Sequence, residues 1–84
     1  MLPKVIFYTK EICSLCDDAE ALLYMFQHEY QFDVEVRDIY TNNEWLEKYQ
    51  LLIPLVELNG EQISCEEMGY DALDKLFKKH FGSK

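Results

Sequence analysis

The chain has 84 residues, the size of one small domain, and 49% of them are apolar, with aromatic residues making up 14%. That composition can close a hydrophobic core, and it excludes a disordered or low-complexity chain. Sixteen acidic residues against eight basic ones give a formal charge of -8. Nucleic acid and anionic membrane surfaces repel such a chain, so neither is expected as a partner.

The start of the chain and its cysteines indicate a compartment. The uncharged stretch over residues 5–9 is too short for the apolar part of a signal peptide, and no run of residues is long enough to cross a membrane. Cys13, Cys16 and Cys65 are an odd number, which does not suit a secreted disulfide framework and favours catalytic or metal-binding cysteines. We therefore expect a cytoplasmic protein. We also expect it to be a monomer.

The first half of the chain alternates between strand and helix patterns. Residues 5–9 are a short run of β-formers, typical of a strand that is buried on both faces. From Leu15 to Tyr30 apolar residues recur at helical spacing, and acidic residues occupy the first turns, where they suit the helix dipole. Val34 and Val36 then alternate with charged residues, which predicts a second strand that extends towards Ile39.

The second half predicts a short helix, a hairpin and a final helix. Residues 41–44, Thr-Asn-Asn-Glu, resemble a capping box that opens the short helix. Two strand patterns over residues 55–58 and 61–64 are joined by Asn59-Gly60, a strong hairpin signal because both residues tolerate positive φ. The last helix is expected from near Asp71. In the resulting order, β-α-β-α-β-β-α, the first two strands should lie parallel through a right-handed crossover.

The residues that carry chemistry stand between the first strand and the first helix. Cys13-Ser14-Leu15-Cys16 places two sulfurs within disulfide reach across one helical turn. Unpaired N–H groups and the dipole at a helix N-terminus stabilise a thiolate, so we expect a pKa for Cys13 below the free value of about 8.5. Cys16 shares the inward face of the helix, whereas Cys13 should reach solvent at its cap. One accessible thiol and one sheltered thiol suit thiol–disulfide exchange.

Charged neighbours of Cys13 act in opposite directions. Lys10 favours the thiolate, whereas Glu11, Asp17 and Asp18 raise the pKa of Cys13 if they lie close to it. We expect a pKa that is lowered, but less than in a site without that acidic flank.

Ile53-Pro54 stands just before the third predicted strand. Proline is common at the first residue of a strand, and only about 5–6% of X–Pro bonds in folded proteins are cis. In this chain the pair follows a β-α-β-α unit that carries Cys-x-x-Cys, and that position favours a cis bond.

These motifs together resemble the glutaredoxin branch of the thioredoxin superfamily, over nearly the whole chain and in the same order. The Cys-x-Leu-Cys-Asp form is most similar to a subgroup of small glutaredoxin-like proteins. The resemblance implies one domain over residues 1–84 with a thioredoxin/glutaredoxin-like α/β fold, a four-stranded mixed sheet with helices on both faces. The motifs that carry it are Tyr8-Thr9-Lys10, Cys13 to Asp17, Ile53-Pro54, Asn59-Gly60 and Ile63.

The resemblance also implies roles for the residues of the site. Cys13 is the nucleophile that forms a mixed disulfide, and Cys16 resolves it. Pro54 packs in cis form beside the disulfide. The backbone of Ile53 pairs with an extended substrate chain as an added strand would.

Glutathione is the small molecule that the resemblance implies. Lys10 would meet the carboxylate of its glycine, and Glu67 would receive its amino group. However, Ser64-Cys65 stands where glutathione-binding members usually carry paired glycines, and two side chains there could obstruct the γ-glutamyl end. We expect no bound cofactor, and glutathione is a candidate co-substrate only.

Two classes of function are compatible with these residues. The first is an enzyme, a dithiol–disulfide oxidoreductase that reduces protein disulfides or glutathione mixed disulfides. The second is a non-catalytic thioredoxin-fold module for redox sensing or binding. Both cysteines are present, flanked by Lys10 and Pro54, and this favours the enzyme.

A metal site is the weaker interpretation of the cysteines. Structural zinc would need four ligands, with Cys13, Cys16 and Cys65 joined by His28 or His80. Cysteine is often buried, so an inert packed thiol explains Cys65 better, and a core histidine explains His80. No metal site is predicted.

Overall fold

In the computed structural model, which describes residues 2–82, the chain forms four strands and three helices in the predicted order. The predicted extent of 1–84 also includes Met1, Ser83 and Lys84, which lie outside the described residues. A 3-10 turn, Ile39–Thr41, precedes the second helix. The elements are β1 (Lys4–Thr9), α1 (Ser14–Tyr30), β2 (Asp33–Asp38), α2 (Asn43–Tyr49), β3 (Leu55–Leu58), β4 (Glu61–Ile63) and α3 (Tyr70–Phe81).

The strands form one mixed sheet in the order β2-β1-β3-β4. β1 and β2 are parallel, with Val5 opposite Val34. β3 runs antiparallel to both of its neighbours, with Val56 opposite Phe7 of β1 and Ile63 of β4. The predicted α/β class and four-stranded mixed sheet are confirmed.

The two faces of the sheet carry cores of different size. Because side chains alternate along β1, Val5 and Phe7 point to the face covered by α1 and α3, whereas Tyr8 points to the face covered by α2. The larger cluster includes Leu23 of α1 and Phe77 of α3, both fully buried. Helices therefore cover both faces, as predicted.

The hairpin turn has the backbone that its sequence predicts. Asn59 and Gly60 connect β3 and β4 with φ values of 53° and 85°. Glycine adopts such angles without steric cost, and asparagine tolerates them better than most residues.

The start of α2 differs from the prediction in its capping residue. Asn42, not Thr41, is the N-cap, and its side-chain oxygen accepts the N–H groups of Glu44 and Trp45 at 2.9 and 3.2 Å. Thr41 belongs to the 3-10 turn, where its hydroxyl donates to a main-chain carbonyl three residues earlier. The turn also takes Ile39 out of β2 and buries it against α2. Tightening of the chain after β2 thus moves the cap by one residue.

Candidate active site

The two cysteines lie where β1 ends and α1 begins. Cys13 is the N-cap of α1, with extended backbone, and its sulfur accepts the N–H of Cys16 at 3.1 Å. Its carbonyl oxygen accepts the N–H of Asp17, also at 3.1 Å. The Cys13 sulfur therefore lies at a helix N-terminus, where N–H groups and the dipole stabilise negative charge.

The pair is joined as a disulfide, with Cα atoms 5.2 Å apart, within the ordinary range for such a bond. Cys16 is 2% exposed and belongs to the main core, as its position on the helix predicts. Cys13 is half-buried at the edge of the same core. The two sulfurs thus differ in access to solvent, with Cys13 the more accessible one.

The loop between α2 and β3 carries the proline. The Ile53-Pro54 peptide bond is cis, and Pro54 is buried. The Ile53 N–H donates to the carbonyl of Tyr49 at 3.2 Å, at the end of α2. Within residues 2–82 the Ile53 carbonyl oxygen accepts no hydrogen bond. Only the carbonyl side of Ile53 is open to an incoming chain.

A groove of about 180 Å³ lies between the first turns of α1 and the cis proline. Leu15 borders it and is 64% exposed, so its predicted place on the buried stripe of α1 is wrong. The helix turns Leu15 away from the core because it turns Cys16 inward. The groove is lined by Leu15, Asp18, Ala19, Leu22, Pro54, Cys65 and Met68.

A wider depression of about 460 Å³ lies on the other side of the cysteines, towards β2. The loop between β1 and α1 forms one wall, and the end of β2 with its 3-10 turn forms the other. Lys10 lies here, exposed, and forms no ion pair within the described part of the chain. The lining residues are Lys10, Glu11, Ile12, Asp38 and Tyr40.

Glu67 lies in the turn after β4, where its N–H donates to the Ser64 carbonyl at 3.1 Å. Its side chain borders a third depression, between the hairpin and α3, which includes Lys75 and Lys79. The groove beside Pro54 is a different one. The structure therefore does not bring Glu67 together with Pro54, although both are predicted site residues.

Cys65 borders the groove instead. Its N–H donates to the Leu52 carbonyl at 2.9 Å, and its sulfur lies 3.7 Å from the Leu51 carbonyl oxygen. The side chain is only half-buried, so the interpretation as a thiol packed inside the core is wrong. The hydrogen bond to Leu52 joins the turn after β4 to the loop before Pro54, and this keeps Cys65 at the surface.

An apolar rim around the cysteines is the feature that the sequence reasoning missed. We define it as Ile12, Leu15, Leu51 and Leu52. Ile12 is 93% exposed and Leu51 85% exposed, although both are large aliphatic residues. The available signal was an isoleucine directly before Cys13, and two leucines before Ile53-Pro54 that belong to no helical or strand pattern.

Tyr8, near the end of β1, belongs to the hydrophobic cluster on the α2 face. The tyrosine is buried, packs on Tyr49 with ring centroids 4.2 Å apart, and accepts a hydrogen bond from Arg37 at 2.8 Å. Burial raises the pKa of Tyr8, and its hydrogen bond with Tyr49 adds to this. Tyr8 therefore has a structural role, because it packs β1 against α2.

Two further properties bear on the chemistry. Among residues 2–82, no three histidine, cysteine or acidic side chains lie together in an arrangement that could hold a metal ion. In the same residues no helix has the length and apolar character needed to cross a membrane.

Solved structures share this fold. A solution structure of protein Ne2328 from Nitrosomonas europaea is 23% identical, with a TM-score of 0.73 over 90% of this chain and 92% of that one. The solution structure of oxidised thioredoxin from Plasmodium falciparum is 19% identical, with a TM-score of 0.65 over 93% and 80% of the two chains. A structure described as a malarial protein is 17% identical, with a TM-score of 0.68 over 95% and 98%. These likenesses show a thioredoxin-like fold.

The sequence itself matches a family model described as "Glutaredoxin-like domain (DUF836)" over residues 4–78. The match begins with β1 and includes both cysteines, the cis proline, the hairpin and most of α3. The chain belongs to this glutaredoxin-like family of the thioredoxin superfamily.

Proposed function

We propose that the protein is a thiol–disulfide oxidoreductase in which Cys13 is the nucleophile and Cys16 the resolving thiol. The observation that carries the proposal is the position of the Cys13 sulfur. It lies at the N-cap of α1 and accepts the Cys16 N–H, and it is the more accessible sulfur of the pair. These are the conditions under which a thiolate is stabilised and can still meet a substrate.

The reaction transfers two electrons from the protein to the substrate. The Cys13 thiolate attacks one sulfur of a substrate disulfide, forming a mixed disulfide and releasing the other substrate sulfur as a thiolate. Cys16, deprotonated, then attacks the Cys13 sulfur, which forms the Cys13–Cys16 disulfide and releases the second substrate thiolate. The two thiol protons end on the substrate thiols, and a thiol reductant returns the protein to its dithiol form.

The substrates we propose are protein disulfides or glutathione mixed disulfides, without a bound cofactor. The open carbonyl of Ile53 can accept an N–H from a substrate chain lying extended beside Pro54. Lys10, in the depression beside Cys13, is the candidate for a glutathione carboxylate. Glu67 stays a candidate for the glutathione amino group only if that ligand reaches the third depression. We also propose that the protein acts as a monomer in the cytoplasm.

Equilibration in glutathione redox buffers, with mass-spectrometric mapping of all three cysteines, tests the proposal. We expect a Cys13–Cys16 disulfide that titrates between about -200 and -270 mV, the range of working dithiol reductants. Absence of this disulfide at every redox poise would contradict the proposal and favour the non-catalytic binding module.

The roles of the two cysteines can be separated by trapping. With Cys16→Ser the mixed disulfide has no resolving thiol, so a peptide disulfide should remain attached at Cys13. The matched control is the same variant with Cys65→Ser, which should trap equally well. Recovery of the adduct at Cys65 rather than at Cys13 would overturn the assignment.

A further inference from the structure

Acidic side chains border both hollows beside the cysteines. Glu11 and Asp38 border the wider depression, and Asp18 borders the groove. Asp17 lies exposed in the first turn of α1. None of these four carboxylates forms an ion pair within residues 2–82. Among the described residues, Lys10 is the single cation that borders either hollow.

Four lysine and arginine side chains are bound to carboxylates that border neither hollow. Their positions are the outer strand β2, the surface of α3, and the contact between α3 and the hairpin. The pairs are Lys4 and Arg37 with Glu35, Lys78 with Asp74, and Lys79 and His80 with Glu61. The three carboxylates that border the two hollows therefore face one cation, Lys10, so a substrate that approaches there meets net negative charge.

The apolar rim lies among these carboxylates. Ile12 borders the wider depression and Leu15 the groove, so each hollow offers an exposed aliphatic side chain beside an unpaired carboxylate. A ligand that complements both features carries positive charge and apolar side chains.

We propose that the preferred substrate of the Cys13–Cys16 pair is a protein disulfide within a cationic segment, with lysine or arginine beside apolar residues, rather than glutathione disulfide. This inference rests on the proposed function. Glutathione disulfide carries four carboxylates and two ammonium groups, so its net charge is negative and the carboxylates that border the hollows repel it. A cationic segment is attracted to the same carboxylates, and electrostatic steering of this kind changes association rates by about 10- to 1,000-fold.

Matched peptide disulfides measure this preference directly. Two cyclic peptides share the same cysteines and apolar residues, but one carries lysines where the other carries glutamates. The pre-reduced protein is mixed with each peptide, quenched with acid, and its Cys13–Cys16 disulfide quantified by mass spectrometry. We expect the cationic peptide to react about tenfold faster or more at low salt, and the ratio to fall towards about two at 0.5 M salt because of screening.

Two double variants with equal change in charge locate the effect. Glu11→Gln with Asp18→Asn removes carboxylates from the two hollows and should reduce the rate ratio at low salt several-fold. Glu29→Gln with Asp33→Asn is the control, because Glu29 lies 16 residues after Cys13, about 24 Å along the helix. The ratio is the deciding quantity, since a changed Cys13 pKa alters the rates with both peptides alike.

The outcomes separate the two proposals. Equal rates with both peptides at low salt, or a ratio that the control variant lowers as much as the test variant, would overturn the cationic preference and leave the oxidoreductase function standing. If the protein reduces neither peptide, the proposed function fails and this inference fails with it. Glutathione disulfide provides a third arm, in which a rate above that of the cationic peptide would also overturn the preference.

Discussion

The two ends of the molecule use apolar and charged residues in opposite ways. At the end away from the cysteines, aromatic rings from α1, α3 and the residue before β2 pack on one another: Phe32 and Phe77 stack with centroids 4.9 Å apart. At the cysteine end, Ile12 and Leu51 are left exposed. The far end also contains ion-paired Glu61, whereas Asp18 beside the groove has no such partner in residues 2–82. The arrangement at the far end stabilises the fold. The exposed side chains at the cysteine end are available for contacts with a partner.

The largest expected effect is on the stability of the aromatic end. Phe77 is fully buried between Phe26, Phe32 and Phe81, so Phe77→Ala should lower the free energy of unfolding by about 3–5 kcal/mol. A domain of this length has only about 4–13 kcal/mol in total. Urea denaturation followed by circular dichroism measures the change.

Two further variants make that comparison decisive. Leu51→Ala, at the exposed end, should change the unfolding free energy by less than about 0.5 kcal/mol. Phe77→Leu keeps most of the volume and should cost less than about 1.5 kcal/mol, so it reports on packing even if Phe77→Ala does not fold. Equal costs for Phe77→Ala and Leu51→Ala would show that the two ends do not differ in this way.

The next effect concerns binding at the exposed end. Leu51→Ser should leave the urea midpoint unchanged. It should lower the second-order rate constant for reaction with an apolar peptide disulfide by about tenfold, because most of the free energy gained by burying one leucine side chain is lost. Stopped-time alkylation and mass spectrometry measure the rate. Met25→Ser is a matched control, since Met25 is an exposed apolar residue on α1 well away from the cysteines. An unchanged rate in Leu51→Ser would remove the rim from the binding surface.

A smaller effect is expected where the cysteine end relies on capping rather than on burial. Asn42→Ala removes the acceptor for two N–H groups of α2 and should cost about 1 kcal/mol of unfolding free energy. Thr41→Ala, at the residue that the sequence pattern favours as the cap, should cost clearly less. Urea midpoints of the two variants show which residue caps α2. A larger loss of unfolding free energy for Thr41→Ala would favour the capping box with Thr41 as the N-cap.

How much the sequence predicts follows from the range of the interactions involved. The strands and helices can be predicted from the spacing of apolar residues, because each element buries one face and that face recurs at a fixed interval along the chain. The cap at Asn42 was not predicted because a 3-10 turn shifts the start of α2 by one residue. The exposure of Leu15 was not predicted because an apolar residue beside a functional cysteine fits a buried helix face as well as it fits an exposed binding surface.

The positions of Glu67 and Cys65 depend on longer-range contacts. A hydrogen bond between Cys65 and Leu52 joins two loops that are distant in sequence, and no local pattern encodes it. It places Cys65 at the groove and leaves Glu67 at the hairpin depression. The distribution of ion pairs has the same origin, since Glu61 meets Lys79 and His80 only after the hairpin packs on α3.

The smallest expected effect is the contribution of Glu61 to the pH dependence of stability. It tests ion pairing at the end of the molecule away from the cysteines. Hydrogen bonds from Lys79 and His80 hold the pKa of the Glu61 carboxyl below its ordinary value of 4.5. A pKa that is lower in the folded state adds stability above the unfolded value, and that stability is lost as the pH falls through the folded value. Glu61→Gln should therefore lower Tm at pH 7 slightly and make the fall in Tm below about pH 4.5 shallower. Glu47→Gln, at an exposed carboxylate of α2 outside the ion pairs of residues 2–82, should leave that slope as it is, and equal slopes for the wild type and Glu61→Gln would show that the pairing adds nothing.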